Sequence, residues 1–216
     1  MAIKGSLTTV KIGGASTAMT GEATTDDGSH KEYQITNAAK RALDPGVALT
    51  VKKNGVAVTS TDYSVIYPLG KIVFPSALLV TDVVTVDGSF RALVSVAEAN
   101  AAEMSADPGS ADVTVFGDTG PRKIATLPSC SVRLDHLHLL TDELATGLTL
   151  ASLLTEVAVF LEVDFGAASR LSGWFRLKAR QSASVESAVS GTVEADGVVQ
   201  TCVGRPTTDQ AMWTLT

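Results

Sequence analysis

Apolar and polar residues alternate over short distances along most of this chain, the period-two pattern of strands that bury one face and wet the other. Residues 7–12 alternate in this way, and the run stops at Gly13 and Gly14. Residues 15–30 are Thr, Ser, Ala, Gly and Asp with almost nothing large to bury, so this stretch is predicted as a long exposed loop after the first strand. Hairpin signals follow. The run KEYQIT from Lys31 reads as a strand, and residues 37–43 suit a single helical turn that Asp44, Pro45 and Gly46 stop. Residues 49–53 and 56–59 flank Asn54 and Gly55, the pair that a type I′ turn favours because both central positions need positive φ. Residues 64–67 and 71–74 flank Pro68, Leu69 and Gly70 as a second hairpin, and 82–86 is a further strand ended by Asp87 and Gly88. Such spacing predicts a small all-β module over 31–91.

The second part of the chain mixes signals. Between 92 and 105, Ala97, Ala99, Ala101 and Ala102 with Glu98 and Glu103 favour a helix, whereas 93–96 favours a strand, and the residues leave the choice open. Val113 to Phe116 is a β-branched and aromatic run, broken by Gly117, Asp118, Thr119, Gly120 and Pro121 in a loop of fixed geometry. After Pro128, residues 129–139 read as a long strand with Val132, Leu134 and His136 on one face. One α-helix is predicted, over 141–156. Thr141 can cap it, Asp142 and Glu143 sit at the positive end of its dipole, and Leu144, Leu148, Ala151 and Thr155 share a face. Gly147 weakens that helix, so packing on a sheet must hold it. Strands are expected at 157–165, the first of them buried, and at 170–180. The cleanest alternation runs from 182 to 194, with Val185, Val189 and Val193 on one face and Glu186 and Glu194 among small polar residues on the other. Asp196 and Gly197 then turn the chain into a strand at 198–203, and 212–215 adds a last one.

Composition narrows the function classes. With 216 residues the chain can bury a real core as one large domain or a domain carrying an insertion. Its pattern divides into 1–30, 31–91 and 92–216. A net charge of −6 argues against gripping phosphate backbones, which needs clustered Lys and Arg. The opening MAIKGSLTTVKIGG has no apolar run of the secretory kind, and no stretch of the chain is apolar enough for a transmembrane helix, so a cytoplasmic origin without membrane contact is expected. Cys130 and Cys202 are far apart and have no metal-like spacing, which reads as two separate thiols, with a disulfide as the alternative. Chemistry is thinly signalled. His136 and His138 share a strand face but lack a third ligand at a readable spacing, no G-x-S-x-G elbow is present, and Gly13–Gly14 lacks the strand, loop and helix order of a phosphate site. Trp174, alone in a strand, reads as a core or interface residue rather than a ligand platform. No enzyme and no cofactor is expected.

The residues 112–135, DVTVFGDTGPRKIATLPSCSVRLD, carry a resemblance. A D-x-T-x-F-G-D core, a basic pair, an L-P-S step and a long strand reaching an Asp resemble the major tail tube proteins of long-tailed bacteriophages. Asp112, Thr114, Phe116, Gly117, Asp118, Leu127, Ser129 and Asp135 are the matching residues, and the resemblance spans about 92–197. It implies a mainly β subunit, a sandwich or barrel with one packed helix, to which the 31–91 hairpins are an addition. The segment 92–105 is a strand in that family. The implied function is structural: rings, usually hexameric, stacked into a tube through which DNA passes without specific binding. Implied partners are further copies of the chain and the tape-measure, initiator and terminator proteins, in the host cytoplasm during assembly and in the virion tail afterwards. On that reading Phe116 anchors the loop, Gly117 needs a conformation closed to β-branched residues, Glu186 and Glu194 face the lumen, and Gly21, Asp26 and Asp27 contact the neighbouring ring. The alternative is a β-sandwich binding or adhesion module, which would display clustered aromatics; a metal-dependent enzyme rests on the His pair alone.

Overall fold

Backbone pairing between two long strands builds the fold. The computed structural model describes residues 8–107, 110–112, 123–125, 129–139, 158–165, 169–182, 190–200, 210–211 and 213–215. Strand β1 (Thr8–Asp26) is followed by β2 (Glu32–Ile35), a 3₁₀ turn (Ala38–Lys40), β3 (Thr50–Lys53), β4 (Val56–Ala57), β5 (Ser64–Ile66), a second 3₁₀ turn (Tyr67–Leu69), β6 (Lys71–Val73) and the longest strand, β7 (Val84–Asp107). Beyond it come β8 (Ser110–Asp112), β9 (Lys123–Ala125), β10 (Ser129–Leu139), β11 (Ala158–Asp164), β12 (Arg170–Ser182), β13 (Ser190–Gly197), β14 (Val199–Gln200), β15 (Gln210–Ala211) and β16 (Trp213–Leu215). Among the described residues twelve strands form one antiparallel sheet, and β8–β9 and β14–β15 are separate pairs. The protein is mainly β. The α-helix expected at 141–156 and the residues 113–122 of the F-G-D loop lie outside the described residues.

β1 and β7 run antiparallel from Thr8 opposite Ala99 to Ala23 opposite Thr85, with register shifts at Val10/Lys11, Gly13/Ser16 and Met19/Glu22. This overturns the exposed loop expected at 15–30, because strand pairing continues to Asp26. Small residues hid it: the segment buries only Met19, and the backbone hydrogen bonds to β7, then to β2, order it. The ambiguous 92–105 is strand. Asp87 and Gly88 do not end the preceding strand either, since β7 passes through both. Gly88 leaves room for the Leu49 side chain, whose Cδ1 would lie 2.8 Å from a Cβ there. The boundary expected at 91/92 therefore falls inside one strand.

Two apolar clusters are served by this pair. β7 bonds to β10, β10 to β13, β13 to β12, β12 to β11, β11 to β1, and β1 back to β7, so the pairings form a closed cycle of six strands. Val10, Ile12, Val132, Leu134, Leu161, Val163, Leu171 and Phe175 pack together, with Met104 against them, so all six strands but β13 supply large side chains and β13 adds Ala195. The second cluster joins Met19, Tyr33, Ile35, Leu43, Val51, Tyr67, Ile72, Phe74, Val86 and Phe90 to Phe160 and Trp174 of β11 and β12. Those two strands are consequently buried on both faces, which is why 158–161 is an unbroken apolar run and even Glu162 beyond it is buried. Trp174 is core, as its isolation in a strand implied.

Several turns follow their residues closely. Asn54 and Gly55 take φ of 51° and 81° between paired β3 and β4. β5 and β6 pair from Ser64 opposite Val73 to Ile66 opposite Lys71, and Gly70 closes their turn at φ 60°. The 3₁₀ turn Ala38–Lys40 is capped by the Asn37 side chain, which accepts from the Ala39 N–H. Residues 129–139 form β10 over the expected span. The single strand expected from 182 to 194 is instead divided between two: Ser182 of β12 pairs antiparallel with Ser190 of β13, and 183–189 lie outside the described residues. Alternation continues in phase through both arms, and nothing in a period-two pattern of Ser, Ala, Val and Gly marks the reversal.

Candidate assembly surface

The outer face of the six-strand cycle is laid out by register. In one row Glu103 of β7, Arg133 of β10, Glu194 of β13 and Lys178 of β12 are successive cross-strand partners, alternating in sign. In the adjacent row Ser105, Ser131, Asp196 and Arg176 follow the same four strands. Val132, Leu134 and Ala195 lie between these positions and are buried, so Glu103, Arg133, Glu194 and Asp196 belong to the opposite, solvent side of the sheet. Opposite charges directly across a pair stabilise it by a few tenths to about 1 kcal/mol, and like charges there do the reverse. Glu194 is thus placed on an outward face, half-buried, but in a charge-balanced row rather than an acidic one. Glu186 lies outside the described residues.

The residues expected to meet a neighbouring ring sit elsewhere. Gly21 has φ 61° at a bulge of β1, and its N–H donates to Asp87 Oδ1 at 2.6 Å, while Lys52 pairs with the same carboxylate. The Lys52 and Gly21 donors hold the Asp87 carboxyl below its usual value. Asp26 accepts from the His30 N–H at 2.9 Å and pairs with the His30 ring. Asp27 accepts from the N–H and hydroxyl of Ser29 at 2.9 and 2.6 Å, which lowers its carboxyl too. Gly28 and His30, both at positive φ, complete a tight turn between β1 and β2 that bonds to itself. Measured along β7, on the order of 50 Å of strand separates the Asp87 register from that of Glu103.

Of the family-like motif, Asp112 ends β8 opposite Lys123 of β9. Ser129 opens β10 opposite Asp107, and Asp135 stands in the same strand opposite Ala101. Thr114, Phe116, Gly117, Asp118 and Leu127 lie outside the described residues. His136 and His138 are in β10, two apart, and among the described residues no three His, Cys, Asp or Glu side chains converge on a metal position. Cys130 is a buried thiol pushed up by that burial, so its nucleophilic form is suppressed. Cys202 lies outside the described residues.

One polar group matters that sequence reading passed over. Arg91 of β7 stacks over the Trp174 ring at 5.0 Å, pairs with Asp44 at 3.1 Å and donates to the Gly14 carbonyl at 3.2 Å. Asp44 is buried, and its own N–H donates to the Ser89 carbonyl at 2.9 Å. This residue set fixes the 38–46 segment and β12 to the same point of β7, where the two cores meet. A lone Arg beside Phe90 and Ala92 gives no sequence signal of it. No family model and no curated protein matches this sequence. Among the described residues no helix is long and apolar enough to cross a membrane.

Proposed function

We propose that this chain is a structural subunit of a bacteriophage tail tube, assembling with copies of itself into stacked, hexameric rings that conduct DNA. The observation that carries the reading is the closed cycle of six antiparallel strands around an interior filled by side chains, here taken as a small barrel. A barrel filled by side chains is a rigid building unit. The F-G-D motif supports the same family. On this reading the alternately charged face of β7, β10, β13 and β12 suits a lumen, because its Arg and Lys positions already stand opposite carboxylates in register and offer phosphate little purchase. The tape-measure, initiator and terminator proteins are the partners that such a tube requires, since stacking of rings through heterologous contacts does not limit its own length. Its location would be the virion tail. The binding-module alternative is less supported: Tyr33, Tyr63, Tyr67 and Trp174 are all buried, and aromatic platforms for ligands must be exposed. Negative-stain microscopy of concentrated purified protein tests the proposal. Rings or tubes with a central channel are expected, and a monodisperse monomer at every concentration refutes it.

A further inference from the structure

Four aliphatic side chains stand in solvent on one corner of the second core. Val56, Leu79, Val80 and Val83 are 71%, 71%, 79% and 61% exposed. Val56 opens β4, which among the described residues pairs with β3 alone. The other three lie on the segment that leads into β7, and Asn54 clasps that segment to the β3–β4 turn. The Asn54 N–H donates to the Val83 carbonyl and its side-chain oxygen accepts from the Val83 N–H, both at 2.8 Å, while its amide nitrogen donates to Asp82 at 2.7 Å. Asp82 in turn accepts from the Leu79 N–H at 3.0 Å. The aliphatic groups are therefore held out in water by an ordered, hydrogen-bonded corner. Isolated exposed aliphatics are ordinary, but a group of this size on a pre-ordered surface marks a contact, because covering it recovers hydrophobic free energy with little ordering cost.

Charge selects what covers it. The ionised groups that flank the corner pair internally, Lys53 with Asp82 at 3.9 Å and Lys52 with Asp87. Nucleic acid or an anionic membrane would need uncompensated cations, which this corner does not offer. Copies of a chain carrying −6 repel one another over much of their surface, and a locally neutral apolar corner is where that repulsion is least. We propose that the corner formed by Val56, Leu79, Val80 and Val83 is a contact between copies of this chain. It rests on the tube reading and deepens it by naming one subunit interface. β4 is too short to template strand addition, so side-chain burial supplies the contact.

The test uses the full chain and two variants on different elements, Leu79→Asp with Val80→Asp, and Val56→Lys. The replaced side chains are exposed, so circular dichroism and the thermal midpoint should match the wild type. Sedimentation velocity across a concentration series, with microscopy of the same samples, should show the wild type associating and each variant shifted to at least roughly tenfold higher concentration, the effect of losing one well-buried contact. If either variant associates at the wild-type concentration, the corner is not the contact, and the tube reading survives if rings are still seen. Should the wild type associate through the corner into particles that are not rings or tubes, the contact stands and the tube reading falls. A wild type that never associates overturns both.

Discussion

At the scale of single residues, backbone geometry and one half-buried ion pair dominate. Gly70 and Gly55 both have positive φ, but their surroundings differ. A Cβ at Gly70 would lie 2.8 Å from the Arg41 carbonyl oxygen and 2.9 Å from its Cα, whereas one at Gly55 meets nothing within 4 Å. The left-handed conformation alone costs an L-residue roughly 1–2 kcal/mol. Gly55→Ala should therefore lose about 1 kcal/mol and Gly70→Ala at least about 3 kcal/mol, read as a difference in urea midpoints at constant m-value. Arg91 poses the electrostatic case. Its removal leaves the buried Asp44 carboxylate without its cation and strips a ring contact from Trp174. Because the guanidinium is partly solvated, Arg91→Ala should cost about 2–3 kcal/mol, below the range for fully buried pairs. Arg91→Lys should recover little of it, since an ammonium cannot stack on Trp174 and reach Asp44 and Gly14 together. Denaturant unfolding of the two variants checks both values.

At the scale of elements, pairing outweighs side-chain character. The 16–23 part of β1 has almost no apolar residues, yet each end of it is in register with β7. Its amides should exchange slowly in the isolated subunit, and hydrogen exchange that finds this stretch as fast as the 27–30 turn would contradict the pairing described above. The charged row across the cycle yields a second expectation. Glu194→Lys places a cation between Arg133 and Lys178, converting two opposite-charge registers into like-charge ones. The expected loss is about 1 kcal/mol, with Glu194→Gln about half of that, and raising salt should narrow the gap between Lys and Gln variants. Should the proposed tubes form, those of the Lys variant should retain DNA more than those of the wild type, because the new cation and Lys178 then have no carboxylate opposite them, while Arg133 keeps only Glu103.

At the scale of the whole molecule, the two cores share β1 and β7 and are pinned together by Arg91, Asp44 and Trp174. A strand cannot keep its ladder in one core and lose it in the other without fraying at the junction, so the cores should unfold as one unit. Leu134→Ala in the first core and Ile72→Ala in the second, both fully buried positions, should each lower stability by about 2–5 kcal/mol. Both variants should retain a single transition in which Trp fluorescence and far-UV circular dichroism coincide. Separate transitions in either variant would mean that 31–91 folds independently of the rest.

The residues alone determined whatever depends on near neighbours. Asn54–Gly55 carries its turn because both positions accept positive φ, Asn37 caps its turn with its own side chain, and Val132 and Leu134 mark a buried face of β10 through alternation. The mainly β class was legible for the same reason. Tertiary structure decided what depends on partners distant in the chain. Residues 15–26 become strand because β7 and β2 supply hydrogen-bond partners that Thr, Ser and Ala do not announce, and β7 runs past Asp87 and Gly88 because Thr50 of β3 and Met19 of β1 stand opposite them in register. The chain reverses between Ser182 and Ser190 although the alternation never falters. The candidate surfaces divide in the same way: Glu194 was legible as an outward carboxylate, but its flanking Arg133 and Lys178, and the clasp that turns Val56, Leu79, Val80 and Val83 into one corner, exist only once strands far apart in sequence lie side by side, since register and packing, not local composition, set which side chains meet.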